Sequence, residues 1–235
     1  MNGWEKVCEL KDLSKVFNDG MTLMFGGFGG VGSPPSLIEF ILELGIKDLT
    51  IIGNDTGFPS IGIGKLIANR RVKKVIASHI GSNPIAGTMR ESGELDIEFS
   101  PQGILAERIR AGGVGLEGII TQIGVDDPLL SIGKEKIMVN GTSCLVETPL
   151  TADVSIIYGK QADHFGNITY EMSARNTNPL VAMAGKYTIA EVEEIVESGE
   201  LNPEHIITSG VFVNSIIRTK GVNWKWMWEM DGNIN

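Results

Sequence analysis

The sequence predicts an α/β fold: a mostly parallel open sheet covered by helices, with a β-rich second half. Two features carry this prediction. Through residues 21–112, short apolar strand-like runs alternate with helix-like segments, and glycine-bearing loops join them. Beyond residue 136 strand-like runs take over, beginning with an Asn-Gly hairpin signal. At 235 residues the chain is long enough to bury a core. No long polar linker divides it, so one domain is expected over residues 1–218, followed by a Trp-rich tail at 219–235.

The elements follow in order. "MTLMF" (21–25) reads as a strand that leads through a glycine loop into the helix "SLIEFILEL" (36–44). Ser33 and Pro34 predict a helix start at about Pro34, because Pro suits the first turn and Ser suits the cap. "DLTIIG" (48–53) is the next strand, then the loop "NDTGFPSIGIG" and the short basic helix "KLIANRR". "KKVIAS" (73–78), "AGTMRES", "ELDIEF" (94–99) and "ILAERIRAG" (104–112) continue as strand, helix, strand, helix. In the second half, Asn140 and Gly141 join two apolar runs over residues 136–147 as a tight hairpin. "DVSIIYG" (153–159) and "NITYEM" (167–172) flank a turn at "DHFGN", and "YTIAEVEEIV" and "VFVNSII" are further strand or mixed segments. No period of 20 to 50 residues is read, which excludes a repeat protein. In the tail, Trp224, Trp226 and Trp228 stand two apart and would share one face of an extended segment, either on the chain's own core or against a partner.

Composition narrows the function. A net charge of −9 argues against nucleic-acid binding, which needs a basic footprint, while leaving room for a local anion site. Two cysteines, Cys8 and Cys144, are too few for a disulfide framework or a structural zinc site. His79, His164 and His205 show no ligand spacing, so no metal site is expected. The first residues hold no long apolar core and no run of about 18 apolar residues follows, so neither a signal peptide nor a membrane span is expected, and a cytoplasmic location is.

Three polar loops follow three predicted strands, and in an open α/β sheet ligands bind at those carboxyl ends. The first packs five glycines into the seven positions Gly26 to Gly32, with Phe28 and Val31 between. The second carries Asn54 and Asp55; the third carries Ser100, Pro101 and Gln102 ahead of Glu107, Arg108 and Arg110. Parallel neighbours would place the loop N–H groups and the amides of Asn54 and Gln102 on one edge. That set offers donors to an oxygen anion but no nucleophile or acid–base pair, which points to positioning and oxyanion stabilisation. Each member also has a plainer role: a tight turn for the glycines, a turn or cap for Asn54 and Asp55, and a helix cap for Gln102. The loop also fits G-x-G-x-x-G through Gly27, Gly29 and Gly32, and Asp55 stands where a ribose-binding acid would. The prolines directly after Gly32 leave every glycine outside the helix, against the dinucleotide pattern.

At these same residues the chain resembles the A (α) subunit of the family I coenzyme A transferases. "DGMTLMFGGFGGVGSP" (19–34) matches the family's signature of a D/N-G turn, an apolar strand and G-G-F-x-x-x-G-x-P. The resemblance continues through "PQGILAERIRAGGVG" (101–115), "LVETPLTADVSIIYGKQADHFGNITYEMSARNTNP" (145–179), "TIAEVEEIVESGEL" (188–201) and "HIITSGVFV" (205–213). "IIGNDTG" and "IASHIGSNP" look most like the acetate and butyrate–acetoacetate members. The resemblance implies the fold of that family. It also implies transfer of CoA, a substrate and not a bound cofactor, between a short-chain acyl-CoA and a short-chain carboxylic acid. A glutamate of a β subunit would attack the thioester, in an α2β2 or larger hetero-oligomer. It further implies that Gly26, Gly27, Phe28, Gly29, Gly30, Val31, Gly32 and Asn54 contact CoA or the acyl group, and that the Gln102 amide helps form the oxyanion hole. Two departures stand out: "TQIGVDDPLLS" (121–131) adds Asp126 and Asp127 where the family often has Thr-Pro-Thr-Gly-x-Gly-Thr, and the tail beyond Arg218 has no assigned role. The alternatives are a sugar-phosphate isomerase or effector-binding domain, with Asp55 or Glu107 as its acid–base residue, and an NAD-dependent enzyme.

Overall fold

The computed structural model describes residues 4–221. Four strands open the sheet: β1 (Thr22–Phe25), β2 (Leu49–Ile52), β3 (Val72–Ala77) and β4 (Asp96–Phe99). Helices α1 (Pro35–Glu43), α2 (Gly64–Ala68) and α3 (Pro84–Glu91) connect them, and α4 (Gln102–Val114) leaves β4. The chain then builds a separate three-stranded antiparallel sheet from β5 (Ile119–Thr121), β6 (Lys136–Val139) and β7 (Thr142–Glu147), with the short α5 (Pro128–Ser131) between. It returns as β8 (Ala152–Asp163), β9 (Ile168–Thr169), α6 (Asn178–Ala184), β10 (Gly185–Val196) and β11 (Ser215–Arg218).

The main sheet runs β11-β10-β8-β1-β2-β3-β4, parallel throughout, with β9 added antiparallel to β8. Side chains alternate across it, so each face has its own core. Leu23, Phe25, Ile51 and Val75 pack under α1, α2 and α3; Met24, Ile52 and Ile76 pack under α4 and α6. Burial on both faces explains why these strands read as continuous apolar runs. The chain moves outward from β1 to β4, then returns on the other side of β1 as β8. That reversal puts a topological switch point between β1 and β8, where the carboxyl ends of strands open a crevice.

The predicted fold class and the Asn140–Gly141 hairpin hold: Val139 pairs with Thr142, and both turn residues take positive φ, 49° and 79°. Several boundaries move. Helix α1 starts at Pro35, one residue late, and neither Pro34 nor Ser33 caps it with a side chain. The cap is Glu191, from mid-β10, whose buried carboxylate accepts the N–H groups of Ser36 and Leu37 at 3.0 Å each. The helix at 65–71 stops at Ala68 because Arg70 takes φ 54°. The strand expected at 167–172 shrinks to β9, and Met172–Arg175 forms a 3-10 turn. Helix α6 was not predicted, and "VFVNSII" divides into a 3-10 turn and β11. The tail with Trp224, Trp226 and Trp228 lies outside the described residues.

A buried ion cluster fastens the small sheet to the main one. Arg108 of α4 donates to Glu98 Oε1 at 2.9 Å and to the Thr148 carbonyl at 2.8 Å, and Lys134 Nζ meets the buried Glu147 carboxylate at 2.6 Å. Burial pushes the Glu98 carboxyl up, but the Arg108 hydrogen bond and the Arg108 and Lys74 charges outweigh it and hold it below the ordinary range. Glu98 therefore contributes stability above the usual carboxylate pKa, and that stability is lost as pH falls through its lowered pKa. Glu98→Gln, which mimics the protonated acid, should be less stable than the wild type at neutral pH in urea titrations followed by circular dichroism, and the difference should shrink as pH falls through the lowered Glu98 pKa. Arg108→Ala, which removes the buried cation between Glu98 and Glu147 and leaves them only Lys74 and Lys134, should lower stability by about 3–5 kcal/mol in urea titrations.

Candidate active site

The glycine loop leaves β1 at the switch point. Gly26 makes the last ladder bond, donating to the Ile156 carbonyl of β8 at 3.0 Å. The tip is a two-residue turn: Phe28 and Val31 exchange backbone bonds at 2.9 and 3.1 Å around Gly29 and Gly30, with φ of 57° and 95°. Two consecutive left-handed residues favour glycine, which takes that backbone without a Cβ penalty. A second loop after β2 has a similar bridge, Phe58 to Ile61, closed around Pro59 and Ser60 without left-handed residues, and the two loops pack side by side so that Gly30 abuts Ile61. The shared pattern G-F-x-x-[V/I]-G, at 27–32 and 57–62, is an offset of thirty residues that the sequence analysis passed over. It occurs as a single pair of βα units, so no solenoid follows from it.

The loop's N–H groups are mostly committed within the chain, contrary to the expectation that they face a ligand. Gly27 donates to Asn176 Oδ1 at 3.1 Å and Gly29 to Asp55 Oδ2 at 2.8 Å. With Gly26, Phe28 and Val31 also bonded, only the amides of Gly30 and Gly32 lack a protein acceptor within the loop, among the described residues. What the loop offers a ligand is an edge of close backbone with the half-exposed Phe28 ring on it.

The structure brings the three predicted strand-end groups together. Gln102 Nε2 donates to Asn54 Oδ1 at 2.8 Å, Asn54 Nδ2 donates to Asp55 Oδ2 at 2.9 Å, and that carboxylate holds Gly29. Gln102 is the first residue of α4 and not its cap, so its side chain is free to make this reach. The relay has a direction. An ionised carboxylate only accepts, so Asn54 must turn its NH2 toward Asp55 and its oxygen toward Gln102. Gln102 must then turn its own NH2 inward, which leaves one N–H and the amide oxygen outside the relay. Asp55 also accepts from Gly57 N–H at 2.8 Å and is 5 % exposed, so its oxygens are occupied and it does not serve a ribose. Glu107 pairs with Arg110 on the exposed face of α4 at 2.9 Å, apart from this relay.

Sequence reasoning assigned no role to Asn176 and Asn178, which flank the loop from the β8 side. The Asn-rich turn "NTNP" before an apolar run was their only local signal. Beside them, Phe28, Val31, Met172, Ser173, Arg175 and Asn176 line a cleft of about 450 Å³. A larger cavity, about 590 Å³, lies at the β4 edge among the paired charges of Glu98, Arg108, Lys134 and Glu147. The strand ends thus offer the amide donors of the relay on the β2–β4 side of the glycine loop and an apolar cleft on its β8 side, and the relay's one carboxylate is already engaged. Among the described residues no three His, Cys, Asp or Glu side chains group to hold a metal ion, and no helix is long and apolar enough to cross a membrane.

A glycine loop at the switch point of an open parallel sheet, with an amide relay across the neighbouring strand ends, makes up the candidate site. The comparisons narrow this. The Coenzyme A transferase family profile matches residues 10–219. The chain is 59% identical to the "Probable coenzyme A transferase subunit alpha" of Bacillus subtilis, covering 97% of this chain and all of that one. It is 50% identical to the "Acetate CoA-transferase subunit alpha" of Escherichia coli K12, covering 90% of this chain and 96% of that one. Among solved structures, an Escherichia coli O157:H7 acyl-CoA transferase, described as a thioester complex with CoA, superposes with TM-score 0.82 at 21% identity. That match covers 94% of this chain, which spans half the length of that one. Glutaconate coenzyme A-transferase from Acidaminococcus fermentans gives TM-score 0.80 at 24% identity, over 91% of this chain and 75% of that one. The chain belongs to the coenzyme A transferase family.

Asp55→Ala leaves three donors without their acceptor in a buried place. It should cost about 2–4 kcal/mol in urea unfolding.

Proposed function

We propose that this chain is the α subunit of a heteromeric CoA-transferase that exchanges CoA between a short-chain acyl-CoA and a short-chain carboxylate, of the acetate, butyrate or acetoacetate kind. One observation carries the proposal: the amide relay ties Gln102 through Asn54 and Asp55 to the glycine loop, and its one carboxylate is fully engaged and not free to act as a nucleophile. Half of a covalent mechanism is present, and the other half belongs to a β subunit. The names of similar proteins support this: the Escherichia coli relative is an acetate CoA-transferase alpha subunit, and a Clostridium acetobutylicum relative, 50% identical, is an acetoacetyl-CoA:acetate/butyrate CoA transferase alpha subunit.

In the proposed reaction a β-subunit glutamate attacks the thioester carbonyl and CoA thiolate leaves, forming an acyl-glutamyl anhydride. The thiolate then attacks the glutamyl carbonyl, which releases the first acid and leaves a glutamyl-CoA thioester. The incoming acid reverses both steps. Each tetrahedral centre carries a negative oxygen, and the free N–H of Gln102 is the donor placed for it. Asn54 and Asp55 orient that donor, and the edge from Gly26 to Gly32, with Phe28 and Val31, holds the acyl-CoA against it. CoA enters as substrate, no separate cofactor is invoked, and the working assembly is α2β2 or larger in the cytoplasm. The isomerase and NAD readings are not favoured: the Asp55 carboxylate is already filled, and Glu107, the isomerase's other candidate, pairs with Arg110 on the exposed face of α4.

Co-expression with the β subunit should give CoA exchange between acetyl- or butyryl-CoA and acetoacetate, and the α chain alone should give none. Assayed across acids of two to six carbons, Gln102→Ala should lose on the order of 100- to 1,000-fold in kcat. Near-normal turnover in that variant would reject the oxyanion role.

A further inference from the structure

We propose that Asn176 and Asn178 are positioning residues that set the shape of the glycine loop from the β8 side and so set the rate of acyl transfer. The loop's own bonds fix only its tip, where Phe28 and Val31 pair. Asp55 secures one flank through Gly29. The opposite flank is secured by these two amides. Asn178, fully buried at the first turn of α6, donates from Nδ2 to the Gly32 carbonyl at 3.0 Å and to the Ala174 carbonyl at 2.9 Å. Its Oδ1 accepts from Tyr158 N–H at 2.9 Å and lies so close to Gly26 that a Cβ there would overlap it. One side chain therefore touches both ends of the loop. It also satisfies a β8 amide just past the point where β1 turns away.

Asn176 grips the middle. Its Oδ1 accepts from Gly27 N–H at 3.1 Å, and its Nδ2 donates to the Val31 carbonyl at 2.9 Å. It does so from a sparsely populated backbone state, φ 24° and ψ −119°, with Met172 at φ 47° opening the same 3-10 turn. Unfavourable backbone at two non-glycine residues persists only where the surroundings over-determine it, and such positions cluster at functional sites. The turn that carries this strain also supplies Met172, Ser173 and Arg175 to the cleft beside Phe28. Displacing the loop by about 1 Å relative to Gln102 is enough to cost on the order of 100-fold in rate.

The kinetic part of the test rests on the transferase reading; the exchange part does not. Asn176→Gly keeps the positive φ and removes the side-chain bonds to Gly27 and Val31, along with the local ones to Ser173, Thr177 and Asn178. In the complex with the β subunit, it should lower kcat by about 10- to 100-fold with KM for acyl-CoA little changed. Hydrogen exchange at the Gly27 amide should accelerate at least tenfold, with assembly and melting temperature retained. Asn176→Asp keeps the acceptor for Gly27 and loses the donor to Val31, so it should fall between wild type and glycine; it carries the test if the glycine variant does not assemble. A wild-type complex that transfers no CoA would refute the proposed function and leave the exchange measurement to decide the loop's bracing. Unchanged exchange at Gly27, or kcat within twofold of wild type in an active complex, would overturn the positioning role.

Discussion

The half-site depends on one buried carboxylate. Asp55, at the end of β2, accepts from Gly29 in the first loop, from Gly57 in the second, and from Asn54 beside it. It thereby joins two neighbouring strand-end loops and dictates which way round the amides of Asn54 and Gln102 sit. A buried carboxylate is tolerable only when its oxygens are met by donors, and here those donors are the parts of the site themselves. Structural satisfaction and chemical orientation are the same set of bonds.

Much of the framework was legible because burial on both faces writes itself into the strands. The runs of β1 and β2 and the second half of β3 are almost wholly apolar, and the loops after them stand where a parallel sheet collects ligands. The convergence of Gln102 and Asn54 was readable for that reason. The destination of the loop's N–H groups was not, because the acceptor of Gly27 lies 149 residues away on Asn176. Helix α6 was missed because "NPLVAMA" is too short an apolar run to declare a period. The ambiguity of "EVEEIV" also has a physical source: Glu191 caps α1, Glu193 meets Lys160 at 2.8 Å and the Tyr158 hydroxyl, and Glu194 meets Gln161 at 2.6 Å. Charges that look foreign to an inner strand each have a partner on β8 or on a helix end.

The division of labour follows from what this chain can and cannot supply. Its amides and glycine backbone are rigid, uncharged and insensitive to pH across the physiological range, which suits holding a carbonyl and receiving developing charge. A nucleophilic carboxylate set among these donors would be drawn into their hydrogen bonds and blunted. Placing it on another subunit lets it arrive from outside the donor network.

The Glu191 cap also orders events in time. The glycine loop and α1 are among the first parts of the chain to be synthesised, yet their braces are Asn176, Asn178 and Glu191. Contacts of such sequence separation form late, because the loop they close is long. A nascent chain that has not yet made β10 therefore holds a glycine loop without its anchors and a helix without its cap. Bracing of the earliest-made part of the half-site is coupled in this way to completion of the chain.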